Sequence, residues 1–340
     1  MNTFSAILDK VADGCDLSHA ECTAAFTALM DGQLTPAQSA AFLIALRAKG
    51  ETAAEMAAAA EVCLSRCRRV EGIAGEYLDI VGTGGDGKHS FNCSTVSALV
   101  MAGLGYRIVK HGNRAVSSSS GAADALEGLG YPLHLDPEGI RASLQRCGFA
   151  FCLAPDYHPG FRNVVPIRRE LGVRTLFNLM GPMINPSRPT HIMMGVAKPE
   201  MVEPIARVLA YGGYRRALVL HGAGGYDEGT AFGPICAKLV EQGELREFRF
   251  DPADYGFVPP ADERELAVET PEEAHRAVLE LLQGQGSAAM RDMVAINVAL
   301  AIRLMAPEHD MQSCVARARM AVSQGVGMRA VALFPQAPQA

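Results

Sequence analysis

One segment of this 340-residue chain, a glycine-rich loop between a strand pattern and a helix start, constrains the fold more than any other. The loop spans residues 82–87 and has the sequence Gly-Thr-Gly-Gly-Asp-Gly. It follows an apolar run at 77–81, which predicts a buried strand, and precedes a helix-start pattern at 92–99. Glycines let a ligand approach the backbone, and a helix N-terminus adds positive potential and free N–H donors. The segment therefore predicts an α/β unit that binds phosphate; the alternative is a glycine-rich turn that binds nothing.

Strand and helix patterns alternate through the rest of the chain. The predicted strands are residues 77–81, 106–109, 149–153, 192–197 and 216–221, with a hairpin at 236–250 around Gln242-Gly243. The predicted helices begin at Asp136-Pro137, at Lys198, at Thr270-Pro271 and at residue 288. This alternation predicts an α/β fold with a mainly parallel central sheet. Ligands of such sheets bind beyond the carboxyl ends of the strands, so the loops at 82–87, 110–120, 154–160 and 221–230 are expected to meet.

The first 70 residues have helical patterns only. Ser18 and Glu21 have capping-box spacing, as do Thr52 and Glu55, and Thr35-Pro36 has the pattern of an N-cap followed by proline. The helix that follows Thr35 has an apolar face at 40–46 that is broader than one solvent-facing helix needs. We expect this helical layer to be buried against another domain or subunit.

Composition excludes some classes of function. The formal charge is −6 and the pI about 5.9, which disfavours nucleic acid and anionic membranes as partners. No stretch has the length of a transmembrane helix and the first residues lack a secretion signal, so we expect a cytoplasmic location. The nine cysteines include no Cys-x-x-Cys pair, and Cys63 and Cys67 are interpreted as core thiols.

A second loop carries cationic and polar side chains. Lys110, His111, Asn113 and Arg114 follow the predicted strand at 106–109, and four serines at 117–120 lead into a helix pattern. Such groups suit a phosphate or a pyrophosphate, and the alternative is a polar surface loop.

Charged residues farther along suggest two more contacts. Asp227-Glu228 follows the strand pattern at 216–221 and, with Asp86 and Ser94, offers the oxygen ligands that Mg²⁺ prefers; the alternative is a solvated acidic turn. In Arg168-Arg169, one guanidinium facing inward would bind a carboxylate through two hydrogen bonds, whereas most such residues lie in water.

Together these motifs resemble the anthranilate phosphoribosyltransferases over nearly the whole chain. The matching segments are residues 36–38, 41–52, 82–87, 92–95, 110–114, 117–121, His158-Pro159, 168–175, 177–182, Asn185-Pro186 and Asp227-Glu228. The resemblance implies a small helical domain plus a large α/β domain of the nucleoside phosphorylase and phosphoribosyltransferase type. It implies a helical domain at 1–72 with a returning segment near 162–185, an α/β domain at 73–161 and 186–335, and a tail at 336–340. A homodimer through the helical domain is also implied.

The resemblance further implies a reaction and its residues. Anthranilate would take the phosphoribosyl group of phosphoribosyl pyrophosphate (PRPP), giving N-(5-phosphoribosyl)anthranilate and pyrophosphate in tryptophan biosynthesis, with Mg²⁺ as the cofactor. The substrate-binding residues would be Gly82, Thr83, Gly84, Gly85, Asp86, Ser90, Asn92, Ser94, Thr95, Lys110, Asn113, Ser118, Ser119, His158 and Arg168. Arg168 would hold the anthranilate carboxylate, and Lys110, Asn113 and His111 would join it in catalysis. Ser94, Asp227 and Glu228 would bind the metal.

Three positions depart from the family pattern, and three other functions stay open. Cys93, Ser90 and Gly229 differ from the residues usual in the family, and Gly229 adjoins the expected metal site. The alternatives are the same transfer onto another aromatic acid, a pyrimidine nucleoside phosphorylase, and a non-catalytic relative that binds nucleic acid. The second loop favours the phosphoribosyl donor over a nucleoside, and the charge balance disfavours nucleic acid.

Overall fold

The computed structural model describes residues 3–114 and 121–336, and one seven-stranded sheet organises them. The strands are β1 Leu78–Gly82, β2 Ile108–Gly112, β3 Phe149–Leu153, β4 His191–Gly195, β5 Arg216–His221, β6 Ile235–Glu241 and β7 Glu244–Phe250. Their order in the sheet is β3-β2-β1-β4-β5-β6-β7. Strands β1 to β5 are parallel to one another, whereas β6 pairs antiparallel with both β5 and β7. This confirms the mainly parallel sheet. The predicted hairpin turns at Gln242 and Gly243, both with positive φ.

Several helices begin where capping residues predict them, whereas the helix expected from Lys198 begins at Val202, after a 3-10 turn at Pro199–Met201. Their bounds are α1 Thr3–Ala12, α2 His19–Met30, α3 Pro36–Lys49, α4 Ala53–Ser65, α5 Cys93–Gly103, α6 Ala122–Gly128, α7 Pro137–Cys147, α8 Ala154–Tyr157, α9 Val165–Leu171, α10 Phe177–Met180, α11 Val202–Tyr211, α12 Pro271–Leu282, α13 Ala288–Met305, α14 Met311–Ser323 and α15 Met328–Val331. Capping boxes start α2, α3 and α4 at Ser18, Thr35 and Thr52. Among the described residues, no helix has the length and apolarity needed to cross a bilayer.

The four N-terminal helices form a hydrophobic cluster of their own. Phe26 and Phe42 are fully buried there, and Val164, Phe177 and Met180 from much later in the chain pack into the same cluster. The chain therefore leaves the sheet after β3, contributes α9 and α10 to the helical layer, and returns to the sheet at β4. This packing buries much of the broad apolar face of α3.

The second strand is longer than predicted at its carboxyl end. Lys110 and His111 lie inside β2, paired with Phe151 and Cys152 of β3, so their placement in a loop was wrong. Both are buried, at 2% and 3% exposure. Pairing with β3 holds the backbone of both residues in the sheet, and this tertiary context overrides the local polarity that suggested a loop.

The carboxyl ends of the parallel strands align at one edge of the sheet. Gly82 at the end of β1 is paired with Gly195 at the end of β4, and Gly112 at the end of β2 is paired with Leu153. The loops after β1, β2, β3 and β5 therefore open on the same side, as expected for a ligand site.

Candidate active site

The loops after β1 and β5 are joined by hydrogen bonds between the predicted residues. The Gly84 N–H donates to Asp227 Oδ2 at 2.7 Å, and the Asp227 N–H donates to Asp86 Oδ2 at 3.4 Å. Gly84 and Gly85 have φ of +64° and +80° and are exposed. Two segments about 140 residues apart therefore form one rim.

Two glycines at strand ends let the Asp227 loop pack directly on the sheet. An ideal Cβ on Gly195 would lie 1.5 Å from the Asp227 carbonyl oxygen, and one on Gly82 would lie 2.4 Å from Asp227 Oδ2. Neither position accepts a side chain unless the acidic loop moves away. The Gly82 requirement is thus a structural one, which adds to the phosphate-binding role that its motif suggests.

Three carboxylates crowd together where these loops meet. Ligand oxygens of Asp86, Asp227 and Glu228 lie within 4.8 Å of one another. Burial, together with its acidic neighbours, raises the pKa of Asp227 to about 6 and that of Glu228 well above its ordinary value. Glu228 Oε2 is buried without a hydrogen-bond partner in the described structure. Hard oxygen ligands with uncompensated negative charge fit a divalent cation such as Mg²⁺.

The hydroxyl of Ser94 lies close to this carboxylate cluster. Ser94 is the second residue of α5, and it lines one small cavity together with Asp227 and Glu228. The Lys110 ammonium donates to Ser94 Oγ at 3.2 Å and to the Ile80 carbonyl oxygen. Burial lowers the pKa of Lys110, while the nearby carboxylates oppose that shift. Lys110 therefore supports the start of α5 from inside the sheet and does not project from a loop.

The other residues that were predicted to bind the phosphoribosyl donor have varied surroundings. The Thr83 N–H donates to the Gly195 carbonyl oxygen at 3.0 Å, and Ser90 forms an isolated bridge with Ala267. Asn92 occupies the N-cap position of α5, and Thr95 is fully buried with its hydroxyl unpartnered in the described structure. Asn113 is exposed at the end of β2. Ser118 and Ser119 lie outside the described residues.

On the other side of β2, a row of rings leads from the sheet to Arg168. The centroids of His111 and His158 are 5.0 Å apart, those of His158 and Phe161 5.6 Å, and those of Phe161 and Phe177 5.4 Å. Arg168 Cζ lies 5.8 Å from the Phe177 ring. One surface is thus lined by residues of β2, of the segment after β3, and of the helices α9 and α10.

Burial keeps the two histidines of this row neutral. It lowers the pKa of His111 to about 3 and that of His158 to about 4. His111 Nδ1 lies 3.1 Å from the Gly181 carbonyl oxygen, which can only accept, so a neutral ring carries its proton on Nδ1. Its Nε2 is then a free acceptor, and it has no partner in the described structure.

Arg168 is a half-buried cation that no carboxylate of the described chain neutralises. Burial alone lowers its pKa, and its guanidinium lies against the Phe177 ring. The adjacent Arg169 is exposed. A partly desolvated guanidinium without a counter-ion is suited to bind the carboxylate of a ligand.

Three residues near the site had no role in the sequence-based prediction. Arg174 Nη2 donates to the Gly85 carbonyl oxygen at 3.3 Å, and Arg47 Nη1 donates to the Arg174 carbonyl oxygen at 2.9 Å, so the helical layer reaches the glycine loop. Asn297 is buried in α13 and hydrogen-bonds to Gly229, beside Glu228. A single amide within the apolar run of α13 was the available signal for Asn297.

Comparisons with known proteins show the family of this chain. Residues 5–67 match the helical bundle domain of the glycosyl transferase family, and residues 74–328 match that family's a/b domain. The anthranilate phosphoribosyltransferase of Nitratidesulfovibrio vulgaris is 54% identical over 328 residues, covering 95% of this chain and 97% of the relative. That of Erwinia tasmaniensis is 41% identical and covers 99% of both chains.

Solved structures of the same enzyme superpose on most of the chain. The Thermus thermophilus enzyme has a TM-score of 0.88 at 36% identity, covering 96% of this chain and 98% of that one. The Saccharomyces cerevisiae enzyme in complex with PRPP and Mg has a TM-score of 0.87 at 27% identity, covering 98% and 96%. By these matches, the chain belongs to the anthranilate phosphoribosyltransferases, pentosyltransferases of the glycosyl transferase family.

Proposed function

We propose that this chain transfers the phosphoribosyl group of PRPP to anthranilate, with release of pyrophosphate, in tryptophan biosynthesis. The observation that supports the proposal is that two sites of opposite charge lie near one strand, β2. Crowded carboxylates lie on one side of β2, and an uncompensated guanidinium ends the row of rings on the other. The names of the relatives supply the substrates, and a yeast relative was solved with PRPP and Mg.

The donor side would bind PRPP and its metal. We assign the phosphate contacts to residues 82–86 with Asn92, Ser94 and Thr95, and the serines at 118 and 119 belong to the same assignment. Asp227, Glu228 and Ser94 would hold Mg²⁺, which would neutralise the charge that accumulates on the leaving pyrophosphate. Lys110 would keep Ser94 and the start of α5 in place through its hydrogen bond to Ser94 Oγ.

The acceptor side would place the amine in line behind the ribose anomeric carbon. Aromatic amines are weak nucleophiles, so orientation is expected to supply much of the rate, up to about 7–11 kcal/mol in well-aligned systems. Arg168 would bind the carboxylate next to the amine through charge-assisted hydrogen bonds. His158 and Asn113 would line the path of the ring.

We assign His111 an accepting role toward the amine. Its ring is neutral and its proton is on Nδ1, so Nε2 can accept a hydrogen bond from the amine N–H. The amine becomes acidic only as its bond to carbon forms, and Nε2 would then be an available base. An imidazolium at this position would instead repel the developing ammonium.

A fluorescence assay tests the proposed reaction. Purified protein mixed with PRPP, Mg²⁺ and anthranilate should cause a loss of anthranilate fluorescence that chelation by EDTA abolishes. Related aromatic acids serve as competing acceptors in the same assay. Turnover of another acid but not of anthranilate would move the proposal to that acid. Absence of turnover with every acid, in a folded protein that binds PRPP, would reject it.

We also propose a homodimer in the cytoplasm, associating through a helical domain made of residues 1–72 and the segment near 162–185. Three of the large apolar side chains that stay exposed, Ile44, Val165 and Val173, belong to this helical layer. Light scattering after gel filtration should give twice the mass of the 36.1 kDa chain. The Ile44→Asp substitution should shift the protein toward monomer, whereas a monomeric wild type would reject the dimer.

A further inference from the structure

Asn297 is a buried amide that hydrogen-bonds to both backbone groups of Gly229. It is 2% exposed, and its neighbours Ile296 and Val298 are fully buried in α13. Its Oδ1 accepts from the Gly229 N–H at 3.0 Å. Its Nδ2 donates to the Gly229 carbonyl oxygen at 2.8 Å and to the Met293 carbonyl oxygen at 2.8 Å. The Gly229 N–H requires an acceptor, so the orientation of the amide is fixed by its partners.

This amide contacts both segments that carry the proposed metal ligands. Gly229 directly follows Glu228 in the loop after β5. The same Nδ2 lies 3.6 Å from Cys93 Sγ, and Cys93 directly precedes Ser94 at the start of α5. Asn297 also lines the small cavity that Ser94, Asp227 and Glu228 share. One side chain of α13 therefore bridges two loops that the sequence separates widely.

Packing leaves the peptide after Glu228 little freedom apart from these bonds. An ideal Cβ on Gly229 would lie 2.8 Å from Ile296 Cγ2 and 3.0 Å from Ile235 Cδ1. Gly229 thus lies tightly between α13 and β6, with its N–H and C=O both bonded to one amide. Loss of the amide would leave the N–H and the C=O of Gly229 buried and unpaired. We therefore expect the two peptide groups on either side of Gly229 to rotate toward other partners.

We propose that Asn297 is a positioning residue that fixes the backbone of Glu228 and Ser94 for metal binding. It would act through the backbone that carries these ligands, and the inference rests on the proposed function of this site. Groups that orient metal ligands from outside typically change metal affinity about 10–100-fold when they are replaced. The expected signature is therefore a loss of metal affinity that exceeds what a loss of stability alone produces.

The test compares Asn297→Leu with Val298→Ala. The first keeps a similar side-chain volume and adds no charge, but it removes the acceptor and the donor that bond to Gly229 and Met293. The second removes buried methyl groups from the next residue of the same helix and leaves the amide in place. Electron paramagnetic resonance measures the binding of Mn²⁺ to each protein with PRPP and without anthranilate, and turnover gives the Mg²⁺ concentration for half-maximal activity. Asn297→Ser serves as a second variant.

We expect Asn297→Leu to weaken Mn²⁺ binding about 10–100-fold and to raise the Mg²⁺ requirement in parallel. At saturating Mg²⁺ its KM for anthranilate should stay at the wild-type value, and Val298→Ala should bind Mn²⁺ like the wild type. Equal Mn²⁺ affinities of Asn297→Leu, Asn297→Ser and Val298→Ala would overturn the inference and leave the proposed function intact. A wild type that binds no Mn²⁺ would overturn both.

Discussion

The charged groups on the two sides of strand β2 have pKa values that burial shifts in opposite directions. On the donor side, burial and crowding raise the pKa of Asp227 and Glu228, so the site resists holding its negative charge alone. On the acceptor side, burial lowers the pKa of His111, His158 and Arg168, so that region resists holding positive charge. Each side would be relieved by a ligand of the opposite charge, a divalent cation on the first and a carboxylate on the second. Consecutive residues of one strand, Lys110 and His111, serve the two sides because strand side chains alternate between faces.

The largest expected effect comes from removing the charge of the donor side. Asp227→Asn combined with Glu228→Gln should lower kcat/KM for PRPP by roughly 10²–10³-fold or more, since metal stabilisation of the leaving group supplies several kcal/mol. The matched control is Glu272→Gln with Glu273→Gln, an acidic pair at the start of α12 that is exposed at Glu272 and partly buried at Glu273, and that changes net charge equally. Equal activity of the two double variants would show that the carboxylate cluster has no role in turnover.

A smaller effect is expected from the acceptor side, and it should fall on KM. Arg168→Ala removes charge-assisted hydrogen bonds worth about 1.5–3 kcal/mol, so the KM for anthranilate should rise roughly 10–100-fold. Arg168→Lys should recover only part of this, because an ammonium lacks the planar pair of donors. The neighbouring Arg169→Ala tests specificity, since Arg169 is exposed. If both alanine variants had the same KM, the carboxylate-binding role would pass to another residue.

The smallest effect concerns stability against pH. His158 has a folded pKa of about 4, below its ordinary value near 6.5, so between these values the unfolded chain binds more protons than the folded one. Its contribution to stability is therefore lost as pH falls from about 6.5 toward 4. From pH 7 to pH 5 this amounts to about 2 kcal/mol of unfolding free energy for one histidine.

Urea unfolding of His158→Phe measures this contribution. The variant should lose about 2 kcal/mol less than the wild type between pH 7 and pH 5, because phenylalanine does not titrate. Phe161→Leu, which alters packing against the same ring without a change in titration, should keep the wild-type difference. An identical pH dependence of wild type and His158→Phe would mean that the imidazole has the same pKa in the folded and the unfolded chain.

Local signals in the sequence predicted most of the fold. The helix expected at 288–305 is found at those residues, and Thr35-Pro36 begins α3 as its capping pattern predicted. The hairpin turns at Gln242 and Gly243, where glycine supplies the positive φ that the turn needs. In each case the determining interaction lies within a few residues of the chain. Order and spacing of the motifs also predicted the family.

What the sequence did not predict depends on contacts between distant segments. Lys110 and His111 belong to β2 because β1 and β3 flank that strand, a fact that the polarity of the segment hides. Asn297 meets Gly229 across 68 residues, and Arg174 meets Gly85 across 89. Periodicity describes which face a residue takes, but it does not say which partner a buried amide or guanidinium will find.

The central claim is that the metal site and the acceptor site, on the two sides of β2, lie close enough to serve one reaction, and paramagnetic broadening tests it most directly. The fluorine signal of 4-fluoroanthranilate is recorded with the protein, pyrophosphate and Mn²⁺, which broadens only nuclei close to the bound ion. We predict strong broadening with the wild type and Arg169→Ala, and its loss with Arg168→Ala or with the Asp227→Asn, Glu228→Gln pair. Bound fluoroanthranilate that Mn²⁺ leaves sharp would contradict the account, because the two ligands would then occupy separate places.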